Sequence, residues 1–153
     1  MKPPKGSHRL RKGRHDATGV YYVLTSVTLA RNPLLENSDA ALAVLAAMRW
    51  LDENRHVALQ AGVVMPDHFH MVIERKEKSL SAVMHTLKGV SAKNINVALG
   101  RTGAVWQRGY HDHAIRKDED LNETICYCLN NPVRAGLVVD FHDYPYWYCR
   151  FSV

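Results

Sequence analysis

Met65-Pro66-Asp67-His68-Phe69-His70-Met71-Val72-Ile73-Glu74 is the stretch on which the fold turns. Pro66-Asp67 is turn chemistry set between two β-prone runs. It predicts a hairpin joining a strand from Val57 to Met65 with a strand from His68 to Lys76. Side chains alternate across a strand. Phe69, Met71 and Ile73 therefore share an apolar face that needs cover. His68, His70, Val72 and Glu74 share the other. Gly62, inside the first of these strands, marks a bulge or a close approach.

Outward from the hairpin, the pattern alternates between strand and helix. Val20-Tyr21-Tyr22-Val23-Leu24-Thr25-Ser26-Val27-Thr28 is β-branched and aromatic, as a strand requires. Asn32-Pro33 breaks it. Asn37 or Ser38 can cap a helix running to about Asn54. After the hairpin, Ser79 starts a helix in which Leu80, Val83, Met84 and Leu87 recur at helical spacing, and Gly100 ends it. Trp106-Gln107-Arg108-Gly109 reads as a loop and His111 to Arg116 as a short strand. Asp118 can cap a last helix stopping at Asn131, because Pro132 disfavours helical geometry in the residue before it. Val133 to Val153 reads as an irregular aromatic tail. The order β-α-β-β-α-β predicts an α+β fold of the ferredoxin-like split βαβ kind, an antiparallel sheet with helices on one face and an added helix bearing Tyr127. The other face is expected to stay free for ligands.

At 153 residues the chain has the size of one ordinary domain. Residues 1–17 read as a basic flexible arm and 18–153 as one domain. Lys2, Lys5, Arg9, Arg11, Lys12 and Arg14 all precede the first acidic residue, Asp16. With a net charge of +5 and a pI of about 9.2, this suits a polyanion partner. The arm is either a solvated tail or an element that follows phosphates and orders on binding. No apolar run approaches a membrane span. The basic N-terminus has no apolar stretch behind it, so it is no signal peptide and the expected location is cytoplasmic. Cys126, Cys128 and Cys149 are an odd set without an export signal, which suits reduced thiols.

Several groups of residues carry candidate chemistry. His68 and His70, one residue apart on an open strand face, can grip one divalent ion through neutral imidazole. They can equally be two surface histidines, or two ligands of a zinc hydrolase completed by another histidine. His111 and His113 form a second such pair and are the obvious rival donors. In the last helix Leu121, Ile125, Cys128 and Leu129 form the buried stripe. Tyr127 lies about 200° round from Ile125 and points away from it. Asn131 sits one turn beyond Tyr127 on the same face. A phenol can attack a phosphodiester once a nearby cation stabilises the phenolate, and an amide oxygen can complete a metal shell. An exposed helix tyrosine followed by a C-cap asparagine fits the same spacing. Trp106, Arg108 and Tyr110 are candidates to stack on or read unpaired bases, or to close the core. Lys88 and Lys93 either meet phosphate or solubilise a helix face. Arg134 either contacts phosphate or pairs with a carboxylate.

Three motifs in order carry a resemblance: Met65-Pro-Asp-His-Phe-His-Met-Val-Ile, Trp106-Gln-Arg-Gly-Tyr-His-Asp-His-Ala-Ile-Arg and Tyr127-Cys-Leu-Asn-Asn-Pro-Val-Arg-Ala-Gly-Leu-Val. From Val20 to Trp147 the chain resembles the single-tyrosine HUH transposases, small transposases of the insertion-sequence-two-hundred type. Within them it is most similar to the REP-associated tyrosine transposases. The resemblance implies that His68 and His70 bind magnesium or manganese, with Asn131 as third ligand. It implies that Tyr127 attacks single-stranded DNA beside a hairpin, leaving a 5′-phosphotyrosine and a free 3′-hydroxyl that can rejoin strands. Arg9, Arg11, Arg14, Lys88, Lys93, Trp106, Arg108 and Arg134 are the expected nucleic-acid contacts. Oligomeric state varies in that family, which leaves a homodimer open, and no membrane is implied. The resemblance assigns no role to Glu74, and longer relatives have extra tail that regulates the site. The rival readings are a catalytically silent hairpin-binding protein and the zinc hydrolase.

Overall fold

The computed structural model describes residues 18–116 and 119–153. Five strands form one antiparallel sheet: β1 (Tyr21–Val27), β2 (Val57–Met65), β3 (His68–Arg75), β4 (His111–Ala114) and β5 (Trp147–Cys149), in the order β4-β1-β3-β2-β5. The expected hairpin forms around Pro66-Asp67, with Met65 opposite His68. The expected bulge also forms, but between Leu59 and Ala61 rather than at Gly62. Gly62 instead marks a close approach: a Cβ there would lie 2.6 Å from the Met48 sulfur.

Helices α1 (Ser38–Glu53) and α2 (Leu80–Leu99) cover one face of the sheet. Their ends obey the local chemistry. The Asn37 side chain accepts from the Ala40 amide and that of Ser79 from the Ala82 amide. Gly100 closes α2 in the left-handed conformation, φ 61°. Tyr22 and Leu24 of β1 join Phe69, Met71 and Ile73 of β3 in the core beneath these helices. Strand alternation assigns Phe69, Met71 and Ile73 to that face. Full burial of a side chain such as Phe69 stabilises the fold by roughly 1.5–3 kcal/mol.

Helix α3 (Leu121–Leu129) lies on the opposite face across β2 and β3. Ile125, Cys128 and Leu129 are buried there against Ala61, Val63, Met65 and Val72, and Leu121 packs at the margin. The α+β split βαβ architecture with an added tyrosine-bearing helix is thus the observed one, but three details differ from expectation. The cap of α3 is Asp120, which accepts from the amides of Asn122 and Glu123; Asp118 lies outside the described residues. The helix ends at Leu129, and Pro132 sits at the start of a second short helix, α4 (Asn131–Arg134), where its missing amide proton costs nothing. The tail is not wholly irregular, since β5 pairs with β2 and places Cys149 opposite Ala61. The Tyr144 hydroxyl, donating to the Val64 carbonyl, fixes the chain ahead of that strand. The second face is therefore only partly free, because α3 and the segment around Tyr144 occupy its β2 side.

Candidate active site and nucleic-acid interface

What α3 leaves uncovered is a cleft of about 910 Å³ between it and the middle of the sheet. Thr25, His70, Tyr127, Asn131 and Arg134 line it, together with His113, Glu119 and Glu123. Register brings the first group together. Thr25 of β1 faces His70 of β3 directly, and α3 crosses β3 from above. Tyr127 is 67% exposed although it belongs to a helix with a buried stripe, so its ring points into the cleft rather than the core.

Each histidine of the pair has one ring nitrogen held. Thr25 Oγ1 lies 2.6 Å from His70 Nδ1, and Asp67 Oδ1 lies 2.7 Å from His68 Nδ1. Among the described residues neither Nε2 has a hydrogen-bond partner. The rings meet edge to face with centroids 4.9 Å apart. Burial, then the charges of His68 and Arg134, pull the pKa of His70 down to about 4. His70 is therefore a neutral, donor-ready imidazole at pH 7. Burial pushes the Asp67 carboxyl up, but the hydrogen bond and charge of His68, with Arg31, hold it below the usual carboxylate range. His70 lines the cleft itself, and His68 stands beside it nearer the Pro66-Asp67 turn.

Asn131 donates its amide nitrogen to the Cys128 carbonyl at 2.8 Å, which aims the amide oxygen elsewhere. Arg134 stacks over Tyr127, its guanidinium carbon 3.6 Å from the ring centroid. Neither reading of Arg134 from sequence foresaw this contact. Asp67 was legible only as a turn residue, although its place beside His68 was the available signal. Thr25 could be found only through the register of β1 against β3.

The remaining candidates separate. Lys93 and Arg108 are exposed. Trp106 is 7% exposed, edge-on to Phe69, with its indole N–H donating to Ser91 Oγ at 3.0 Å. It closes the core, and the base-stacking role expected of it has no surface here. Lys88 Nζ donates to the carbonyls of Gln107 and Gly109, each at 2.7 Å, which accounts for it as an internal brace. Arg9, Arg11 and Arg14 lie outside the described residues. His113 is tied to Glu119 at 3.1 Å, and among the described residues no three His, Cys, Asp or Glu side chains gather as a metal set.

The family model described as "Transposase IS200 like" matches residues 16–130. The chain belongs to this family. The IS200-like match includes the histidine pair and Tyr127 and stops just before Asn131. The chain is 26% identical over 132 residues to the REP-associated tyrosine transposase of Escherichia coli K12, covering 84% of this chain and 74% of that protein. It is 29% identical over 94 residues to a Haemophilus influenzae protein assigned to the same group. That match covers 54% of this chain but only about half, 53%, of the relative's length. Among solved structures, a REP-associated tyrosine transposase bound to a REP hairpin superposes with a TM-score of 0.69 at 25% identity, covering 88% of this chain and 79% of that one. Among the described residues no helix of this IS200-like chain is long and apolar enough to cross a membrane.

Proposed function

We propose that this chain is a DNA transposase that cuts and rejoins single strands beside DNA hairpins, with Tyr127 as nucleophile and a divalent ion as cofactor. The observation that carries the reading is the shared cleft of Tyr127, His70, Asn131 and Arg134 within one chain. A tyrosine that merely decorated a helix would have no reason to share a cleft with His70, whose outer nitrogen has no partner among the described residues. One chain supplies the whole group, so the reading takes the tyrosine to act in its own protomer and needs no second copy.

The donor set fits a divalent ion. His68 and His70 would hold it through Nε2, each oriented by an oxygen partner on the other nitrogen, as metal-binding histidines commonly are. Asn131 would add an amide oxygen, a hard donor suited to magnesium or manganese. When bound, the ion would neutralise charge on the phosphoryl oxygens. The protein residues do the rest. Tyr127 forms the Oη–phosphorus bond as the phosphorus–O3′ bond breaks. The phenol gives up its proton to solvent, and the departing 3′-oxygen takes one. One phosphodiester replaces another, so the 3′-hydroxyl can reverse the step without an external energy source. Arg134 holds the Tyr127 ring by its face and places positive charge where negative charge develops.

Hairpin DNA as the partner is inferred from the relative whose structure contains a REP hairpin. It is supported by the net charge of +5 and by the exposed Arg108 and Lys93. The test is incubation of a labelled single-stranded hairpin substrate with magnesium, followed by denaturing electrophoresis. The wild-type chain should form a covalent adduct and Tyr127→Phe none. Adducts that persist in the variant would remove Tyr127 from the reaction.

A further inference from the structure

We propose that Gln107 and Arg108 read purine bases on the strand entering the cleft, and that Lys88 is a positioning residue for both rather than a phosphate contact. The inference rests on the DNA-cleaving function proposed above. It begins with a mismatch of register. Trp106 bridges Thr28, the residue just past the end of β1, while His111 pairs with Thr25. Three steps along β1 are thus matched by five along the facing segment, and the chain between Trp106 and His111 must bulge from the sheet edge. A bulge leaves carbonyl groups without strand partners.

Lys88 reaches across from α2 and supplies them. Its ammonium donates to Gln107 and Gly109, and Ser26 Oγ also donates to the Gly109 carbonyl at 3.4 Å. Burial lowers the Lys88 pKa below the usual lysine range, as suits a group turned inward. The other supports are equally fixed. The Gln107 backbone N–H donates to the Val27 carbonyl at 2.9 Å, the Trp106 ring is locked in the core, and Gly109 turns the chain at φ 80°. Between these anchors the side chains of Gln107 and Arg108 are exposed.

The bulge lies beside the site. His68 pairs with Val27 from one side, and Gln107 bonds to the same residue from the other. Two strand spacings, about 10 Å, therefore separate the two backbones. A base next to a phosphate held at His68 falls within reach of the bulge. The side-chain types suit purines: an arginine fork matches the two acceptors of guanine, and a glutamine amide matches the donor–acceptor edge of adenine. A braced backbone makes such contacts selective, because little freedom is lost on binding.

The test uses Tyr127→Phe protein, so that binding is read without cleavage. Hairpin oligonucleotides carrying a randomised single-stranded flank are selected on the protein and sequenced. The expected pool is enriched about 5-fold to 100-fold for a purine at one or two flank positions. Adding Arg108→Ala or Gln107→Ala should each flatten one position. Lys88→Met should blunt both while leaving the salt dependence of binding unchanged, and Lys88→Arg should restore part of the preference. A preference that survives both Arg108→Ala and Gln107→Ala overturns the proposal. So does a Lys88→Met variant with selectivity intact and a salt slope reduced by about one, the mark of a lost phosphate contact. The Gln107 and Arg108 variants change only exposed side chains, so they decide the matter even where Lys88→Met lowers stability. Hairpin binding without base preference overturns this inference alone; absence of any hairpin binding overturns the underlying function with it.

Discussion

The guanidinium of Arg134 lies 3.6 Å above the centre of the Tyr127 ring, across the break between α3 and α4. Asn130 interrupts the helix between them, and Pro132 restarts it. The short second helix thereby turns a surface arginine back over the tyrosine. Arg134→Ala should slow single-turnover adduct formation about 10-fold to 100-fold, the worth of roughly 1.4–3 kcal/mol of transition-state stabilisation. Hairpin affinity should change far less. Arg134→Lys should recover only part of the rate, because an ammonium does not stack as a planar guanidinium does. A rate untouched by Arg134→Ala would show that the stacking is only a resting contact.

The histidine pair is held from behind. Thr25→Val removes the oxygen beside His70 Nδ1, and Asp67→Ala the one beside His68 Nδ1. Neither touches a ligand nitrogen directly. Each should raise the manganese concentration needed for half-maximal cleavage about 10-fold to 100-fold, as loss of such outer partners commonly does. His68→Ala should abolish cleavage yet keep hairpin binding. Asn131→Ala should shift the same metal titration without altering hairpin affinity. An unchanged titration for Asn131→Ala would take its amide oxygen out of the metal shell.

In metal-free protein His70 makes stability depend on pH. Burial first, and then the charges of His68 and Arg134, lower its pKa from 6.5 to about 4 in the folded chain. Between these values the unfolded chain takes up a proton that the folded site refuses. Stability therefore falls as pH drops from about 6.5 to about 4 and levels off below, by up to about 3 kcal/mol. Urea denaturation of native and His70→Gln protein in chelator, compared over that range, isolates the contribution. Parallel profiles for the two proteins would contradict the burial argument.

Much of this arrangement is visible in local pattern. Alternation alone separates Phe69, Met71 and Ile73 from His68 and His70, because a strand has only two faces. Helical geometry alone turns Tyr127 away from Ile125. What local pattern cannot show is anything that depends on which strands neighbour one another. Thr25 meets His70 through the β1–β3 register, and β5 was hidden because Trp147–Cys149 is too short to signal a strand before β2 offers it an edge. Lys88 and Trp106 were ambiguous for a related reason. A tryptophan serves at a DNA surface or in a core and a lysine at phosphate or on a solvated helix face, and only the packing around the segment after Trp106 decides.

Gly62 gives a test of the fold that is independent of the chemistry. It sits in β2 opposite Met71, with α1 so close that an added Cβ would fall 2.6 Å from the Met48 sulfur. No real contact is that short, so Gly62→Ala must displace either the methionine or the helix. A methionine is flexible, but Met48 is fully buried and has little empty space to move into. The substitution should destabilise the protein by about 1–3 kcal/mol, the usual range for overpacking. Shortening the opposing side chain should relieve the clash. In Met48→Ala protein, which is itself weakened by the cavity, adding Gly62→Ala should cost little or gain stability. The two changes should then couple by about 1 kcal/mol or more in a double-mutant cycle of chemical denaturation. Strict additivity would mean that the β2–α1 contact at Gly62 is looser than its geometry states.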